Sequence, residues 1–342
     1  MKKALRIAGI AVGTLVLAFA ALVSHFAIIG GDAVRAQADR MEELRTAADA
    51  PQPAGDTHEF DALRYDELQV IATHNSYNLA PTWLQTKVIR LVEPSQAPAL
   101  QYDHATLTEQ LDAGIRSFEL DARWDGEHFW SVHVPLVGNR ATAPDLALGL
   151  EEIALWSARH PGHLPISIMV EVKDDYTFLD PTLRDFDAAA ADALDALVEA
   201  QLGERLFSPD DLAGGAWPTV GELRDRVLLY FGDNETVREL SLDGHPGLEG
   251  RSIFTSSKTG AADARFAIID DPRDPLLATA LADGVIVRTR ADADLATGAE
   301  QRDAALASGA QIVSTDFPPS EPQKDTGYLV EFAGGALVRA LP

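Results

Sequence analysis

The chain has 342 residues, 46% of them apolar, enough for one large core or two modest domains. Its formal net charge of −25 and pI near 4.6 give a surface that repels nucleic acid, which sets that class of partner aside. It contains no cysteine, so disulfides, thiolate metal sites and cysteine nucleophiles are excluded.

The chain begins "MKKALRIAGIAVGTLVLAFAALVSHFAIIGG": Lys2, Lys3 and Arg6, then an apolar run from Ile7 to Ile29 weakly interrupted by His25. A basic start before an apolar run directs export. The run exceeds the ~7–15 residues of a cleaved signal and approaches the ~20 that span a bilayer. Residues 1–31 are therefore read as a signal peptide or membrane anchor. An anchor is favoured, with its positive end inside, although "GDA" at 31–33 is placed for cleavage. The remainder is expected to be exported, either anchored or secreted after cleavage. Residues 32–59 combine the helical period of "ADRMEELRTAADA" with the break "PQPAGD" and read as a linker or stalk helix.

From residue 60 to 342, short apolar runs alternate with helical or loop stretches. Strands are predicted at 68–74, 117–123, 129–134, 166–173, 226–231, 252–256, 284–290 and 311–316. Helices are predicted over "LTEQLDAG", "LALGLEEIALWSARHPG", "DFDAAAADALDALVEAQLG" and "ATGAEQRDAALASGA". Eight strands alternating with helices predict an α/β fold, a (β/α)8 TIM-type barrel preceded by the N-terminal hydrophobic helix. A doubly wound sheet competes, but no Gly-rich phosphate loop follows the first strand.

The strand faces carry the chemistry. In "SFELDAR" (117–123), Phe118, Leu120 and Ala122 share one face and Glu119, Asp121 and Arg123 the other. Two carboxylates inside a barrel mouth repel each other and lose hydration unless a cation lies between them. In "ISIMVEVK" (166–173), Glu171 and Lys173 share a face in the same way. "ATHNSYN" ends the first strand on His74 and Asn75, and "SVHVP" places His133 near another strand end. Two imidazoles facing a phosphodiester can act as base and acid near neutral pH. His74 and Asn75 are adjacent, so the backbone must leave the strand conformation for both to face inward. "GVIVRTRAD" puts Arg288 and Arg290 on one face, suited to phosphate or to an internal salt bridge. Asp316 ends the last strand and reads equally as site or scaffold. Hard oxygen ligands favour Ca2+, and Mg2+ after it, over zinc.

"ATHNSYN", "LTEQLDAGIRSFELDAR", "SVHVP", "IMVEVK", "VIVRTRAD" and "SGAQIVSTDFP", in this order over about 60–320, resemble the calcium-dependent bacterial phosphoinositide-specific phospholipase C family. The resemblance implies a phospholipase C-like barrel that cleaves phosphatidylinositol or a related inositol phospholipid. It implies diacylglycerol and a cyclic or opened inositol phosphate as products. It implies His74 and His133 as catalytic histidines, and Asn75, Glu119, Asp121 and Glu171 as calcium ligands. Lys173, Arg288 and Arg290 become contacts to the substrate phosphate or headgroup. The chain departs from the family at its end, where "LVRALP" replaces the expected Arg-Cys-Asn-Pro-like stretch, and "YDH" (102–104) carries no assigned role. The substrate would lie at a membrane surface, which Trp83, Leu84 and Ile89 could touch if they are not core. Nothing in the sequence calls for an obligate protein partner. The alternatives are a glycerophosphodiester phosphodiesterase-like hydrolase, which "HNSY" disfavours, and an inactive surface barrel that binds lipid or sugar phosphate.

Overall fold

The computed structural model describes residues 2–47, 51–52, 54–212, 215–292 and 297–341. Parts of the expected linker (48–50 and 53), and residue 296 of the last predicted helix, lie outside them. In chain order the elements are α1 (Lys2–Thr46), β1 (Leu68–Thr73), α2 (Trp83–Val92), α3 (Gln96–Ala99), α4 (Leu107–Asp112), β2 (Ser117–Trp124), β3 (Phe129–Trp130), α5 (Leu146–Arg159), β4 (Ile166–Val172), α6 (Ala188–Leu202), α7 (Pro209–Leu212), β5 (Val227–Phe231), α8 (Glu235–Leu242), β6 (Phe266–Ile268), α9 (Pro275–Ala282), β7 (Ile286–Arg290), α10 (Ala299–Ala307), β8 (Ile312–Thr315) and β9 (Val338–Ala340).

β2, β4 and β5 pair in parallel on one side of the molecule, and β6, β7, β8 and β1 on the other. Residues 252–256 join the two sets. Phe254 N–H donates to Leu229 O and Phe231 N–H to Phe254 O, both at 2.9 Å, and a parallel bridge links Ser256 to Phe266. Eight parallel segments thus circle a common interior, the (β/α)8 arrangement. The seam between β1 and β2 is irregular. β9 runs antiparallel along the start of β1, and β3 folds back on the end of β2. Ser76 ties the two barrel strands: its N–H donates to Glu119 O at 2.8 Å, and its Oγ accepts Glu119 N–H at 2.9 Å.

The alternating pattern of the sequence becomes inside and outside. Phe118, Leu120 and Ala122 of β2, with Ile166, Ile168, Val170 and Val172 of β4, pack outward against α4, α5 and α6. Val70, Ala72, Met169, Tyr230, Phe254, Phe266, Ile286 and Ile312 fill the interior. The helices start on side-chain caps: Thr106 with Glu109 as a capping box for α4, Asp145 for α5 and Asp187 for α6.

One strand expectation needs correcting. The segment 129–134 is a strand only to Trp130, turned back on β2 through Gly126 (φ +102) and lying outside the barrel. The vacated place in the barrel goes to β6, three residues too short to show a period. The aberrant "LVRALP" end supplies β9, so this departure from the family pattern still serves the barrel, through pairs Leu68–Ala340 and Val70–Val338. Up to Thr46, the segment expected as a stalk is the second half of α1. It lies against α5, with Gln37 and Met41 fully buried.

Candidate active site

The polar ends of the inward faces meet at the C-terminal end of the strands, around a cavity of about 490 Å³. His74, Asn75, Glu119, His133, Glu171, Lys173, Arg288 and Arg290 all line it. Asp121 lies buried beside it. One oxygen atom each from Glu119, Asp121 and Glu171 lie within 4.8 Å of one another. The structure therefore brings together all nine residues singled out in the sequence.

Local backbone explains how adjacent residues share the cavity. β1 ends at Thr73, and Asn75 takes a left-handed conformation (φ +44), which asparagine tolerates better than most residues. Its Nδ2 donates to Tyr102 Oη at 3.0 Å, which fixes which way the carboxamide oxygen faces. His74 is held from two sides, with Arg290 close by. Asp316 Oδ1 accepts from its Nδ1 at 2.6 Å, its carbonyl accepts from His104 Nε2 at 2.9 Å, and Arg290 Nη2 lies 3.3 Å from Nδ1. Nε2 remains toward Glu119 Oε1, 3.5 Å away. Burial, and after it Arg290, pushes His74 well below its ordinary value, so the ring is neutral. Burial and then Asp292 push Asp316 upward.

His133 sits on a loop rather than at a strand end. Arg123, fully buried, holds that loop through its Nε–H to Val132 O at 2.7 Å and its Nη2 to His133 O at 2.6 Å, with Asp175 as counter-ion at 2.6 Å. Burial and then Lys173 lower His133 to about 4. Its Nδ1 is buried without a hydrogen-bond partner.

The carboxylates are compensated unequally. Glu119 pairs with Arg288, which also reaches Asp270 at 2.9 Å. Arg288 therefore occupies the internal salt bridge that the sequence left open, while Arg290 keeps a buried Nε with no partner. Lys173 Nζ lies 2.7 Å from Glu171 Oε1. Burial alone would raise Glu171, but Lys173 outweighs it and holds the carboxylate at about 2. Burial raises Glu119 to about 8 and Asp121 to about 6. Neither carboxylate oxygen of Asp121 finds a hydrogen-bond donor, although both are buried. Orphaned buried oxygens beside two more carboxylates and a carboxamide are a hard-oxygen donor set that fits a divalent cation.

Comparison with known proteins follows the same lines. The family of Ca2+-dependent phosphoinositide phospholipases C matches residues 63–129 and 127–342. The chain belongs to this family. This phospholipase is thus a phosphodiesterase of the phosphatidylinositol-cleaving type, and the glycerophosphodiesterase alternative falls away. Its fold is shared with the calcium-dependent phosphoinositol-specific phospholipase C of a Pseudomonas species in its myoinositol complex. That likeness has TM-score 0.59 and 19% identity, and covers 84% of this chain and 99% of the other. It is similar also to the Ca2+-dependent phosphatidylinositol-specific enzyme of Streptomyces antibioticus, with TM-score 0.51 and 18% identity, over 75% of this chain and 95% of that one. No curated protein sequence matches it.

Sequence reasoning missed the supports. Arg123 was legible only as one more inward-facing charge, and the roles of Asp316, Tyr102 and His104 depend on contacts between distant segments. His104 pairs with Glu321 across 217 residues.

Proposed function

We propose that this phospholipase cleaves phosphatidylinositol by attack of the inositol 2-hydroxyl on phosphorus, releasing diacylglycerol and a cyclic inositol phosphate. The observation that carries this reading is the pair of imidazoles, His74 and His133, lining one cavity together with Glu119 and Glu171 of the carboxylate cluster. His74 Nε2 takes the hydroxyl proton, while Asp316 fixes the tautomer through Nδ1. The new O–P bond forms as the bond from phosphorus to the glycerol oxygen breaks, and His133 gives that oxygen its proton. A phosphate entering beside Lys173 raises the low resting pKa of His133, so the imidazole is charged when the acid is needed. Lys173 and Arg290 offset the charge that gathers on the phosphoryl oxygens.

Glu119, Asp121, Glu171 and the Asn75 carboxamide oxygen are assigned to the calcium ion. When bound, the cation lowers the pKa of the attacking hydroxyl and neutralises phosphate charge. We assign the unphosphorylated headgroup as the preferred substrate. The cations lining the cavity are Lys173, Arg288 and Arg290, and Arg288 is already held by two carboxylates. Extra phosphates would meet Asp175, Asp233 and Asp270 at the walls.

Phosphorus NMR of the enzyme acting on phosphatidylinositol tests the reading. A cyclic phosphate signal should grow in calcium and stop in chelator, and phosphatidylinositol bisphosphate should turn over more slowly. Cleavage that persists in chelator, or an acyclic first product, overturns the mechanism.

A further inference from the structure

The direction of α1 decides which membrane this enzyme can work on. Phe26 packs among Ile89, Leu100 and Val134, with Leu84, Tyr176 and Leu179 at the edge of the same cluster. All these residues lie on connections that leave the C-terminal ends of barrel strands, and Leu100 and Tyr176 also line the catalytic cavity. Asn139 fastens this contact, donating from Nδ2 to Phe26 O at 3.0 Å and accepting from Gln85 at 2.9 Å. Further along, Gln37 exchanges two hydrogen bonds with the backbone of Asp145, the cap at the start of α5, at 3.0 and 2.8 Å. Arg45 forks onto Glu151 at 2.7 and 2.6 Å, and Arg159, at the end of α5, donates to Leu44 O. α1 therefore runs from the catalytic end of the barrel to the opposite end. Its apolar N-terminal part projects past the catalytic end.

That part carries Ile10, Val12, Leu15, Val16, Leu17 and Phe19, all exposed, within a stretch of mean hydropathy 2.3 that is 6% buried. A span of about 20 residues counted from Ile7 reaches roughly residue 26, where the helix touches the barrel. No length remains for a stalk. Among the described residues outside α1, the exposed large apolar side chains are Trp83, Leu91, Val92, Phe178 and Leu276. Each lies on a segment that follows a barrel strand at this same end.

We propose that α1 is an uncleaved anchor built into the catalytic unit, which sets the cavity mouth against the outer surface of the bilayer that holds it. The apolar rim of Trp83, Leu91, Val92 and Phe178 rests in that surface. The enzyme acts in cis, on phospholipid of its own membrane. This rests on the phospholipase reading for the identity of the lipid, but the orientation does not depend on it. Cleavage after 31–33 would remove Phe26 and bare its cluster. The anchor also overcomes a charge problem: a protein of net charge −25 gains nothing electrostatically from an anionic lipid, and tethering replaces attraction with high local concentration.

The full chain is reconstituted in phosphatidylcholine vesicles containing phosphatidylinositol and mixed with enzyme-free vesicles carrying fluorescent phosphatidylinositol. Hydrolysis should be at least about tenfold faster in the enzyme's own vesicles. Equal rates in both populations overturn the proposal. A water-soluble aryl inositol phosphodiester, turned over in calcium, reports the active site separately. If it is inert, the phospholipase reading fails while the orientation is still decided by cross-linking. Gly30→Cys with Asn139→Cys provides that cross-link. A Cβ on Gly30 would lie 3.7 Å from Asn139 Cβ, within disulfide range, and the chain has no other cysteine. The oxidised pair should bridge in membranes with cis hydrolysis retained, and failure to bridge overturns the docking. Leu91→Cys bearing an environment-sensitive dye should report apolar surroundings at any protein density. A signal that appears only on crowding marks contact between copies and overturns the assignment to lipid.

Discussion

The two halves of the active site are built on opposite terms. Around His74 the groups are tied to named partners: Asp316 on Nδ1, His104 on the carbonyl, and Tyr102 on the neighbouring Asn75. Around Asp121 the carboxylate oxygens have none, and Glu119 and Glu171 are satisfied chiefly by borrowed side-chain cations. The tied half needs no ligand to fix its geometry, which suits a group proposed to move a proton. The unsatisfied half holds charge that only an incoming cation can settle, so its cost to folding is also its capacity for binding.

The largest effect should come from the two histidines proposed to move protons. His133→Ala should slow phosphatidylinositol cleavage by ~10²–10⁴-fold. It should slow an aryl ester, whose leaving group needs no proton, much less. Equal losses on the two substrates in steady-state assays would remove His133 from the acid role. Asp316→Asn should cost roughly tenfold to a hundredfold in kcat with little change in KM, since it misplaces the base without touching substrate. A rise in KM alone would mean that Asp316 serves binding instead.

The unsatisfied half makes a smaller prediction of opposite sign. In chelator, burial holds Glu119 at about 8 and Asp121 at about 6, against ~4 in an unfolded chain. Between those values the folded protein binds more protons than the unfolded one, so stability falls as pH rises from about 4 to about 8. Asp121→Asn removes part of that fall. In chelator at pH 7.5 it should be more stable than the parent by on the order of 2 kcal/mol, and the gain should shrink as pH falls towards ~4 and vanish below it. Calcium should stabilise the parent but not this variant, which should also lose activity. Calorimetry that shows the variant less stable than the parent in chelator would mean that Asp121 has a partner in the folded state.

The two halves were also unequally legible. Period-two alternation put Glu119, Asp121, Glu171 and Lys173 on inward faces, because a parallel barrel strand must send its apolar face to the helices. β2 and β4 follow that rule residue by residue. The supports of His74 were hidden because Asp316 lies 242 residues from it, and His104, 30 residues away, is itself held by Glu321 across 217. Short-range pattern also misplaced a strand at 129–134. "FWSVHV" alternates well enough, but Arg123 captures the carbonyls of Val132 and His133 and removes them from any ladder. β6 escaped notice because three residues carry no period.

The position of β9 has a consequence for how the molecule assembles. β1 is flanked by β8 and β9, the last two strands, and Gln69 on β1 donates to Ala310 across 241 residues. The opening strand of the barrel therefore has no ladder until nearly the whole chain is available. Loop closure on that scale is entropically slow, and closure is the step on which folding speed depends. α1 and α5 can dock earlier, since their contacts close a loop of only about 110 residues, as Arg40 to Glu152 does with a separation of 112. The helix at the beginning of the chain can thus dock before the barrel beside it is complete, and β1, with His74 just past its end, is the strand whose pairing waits for the latest part of the chain.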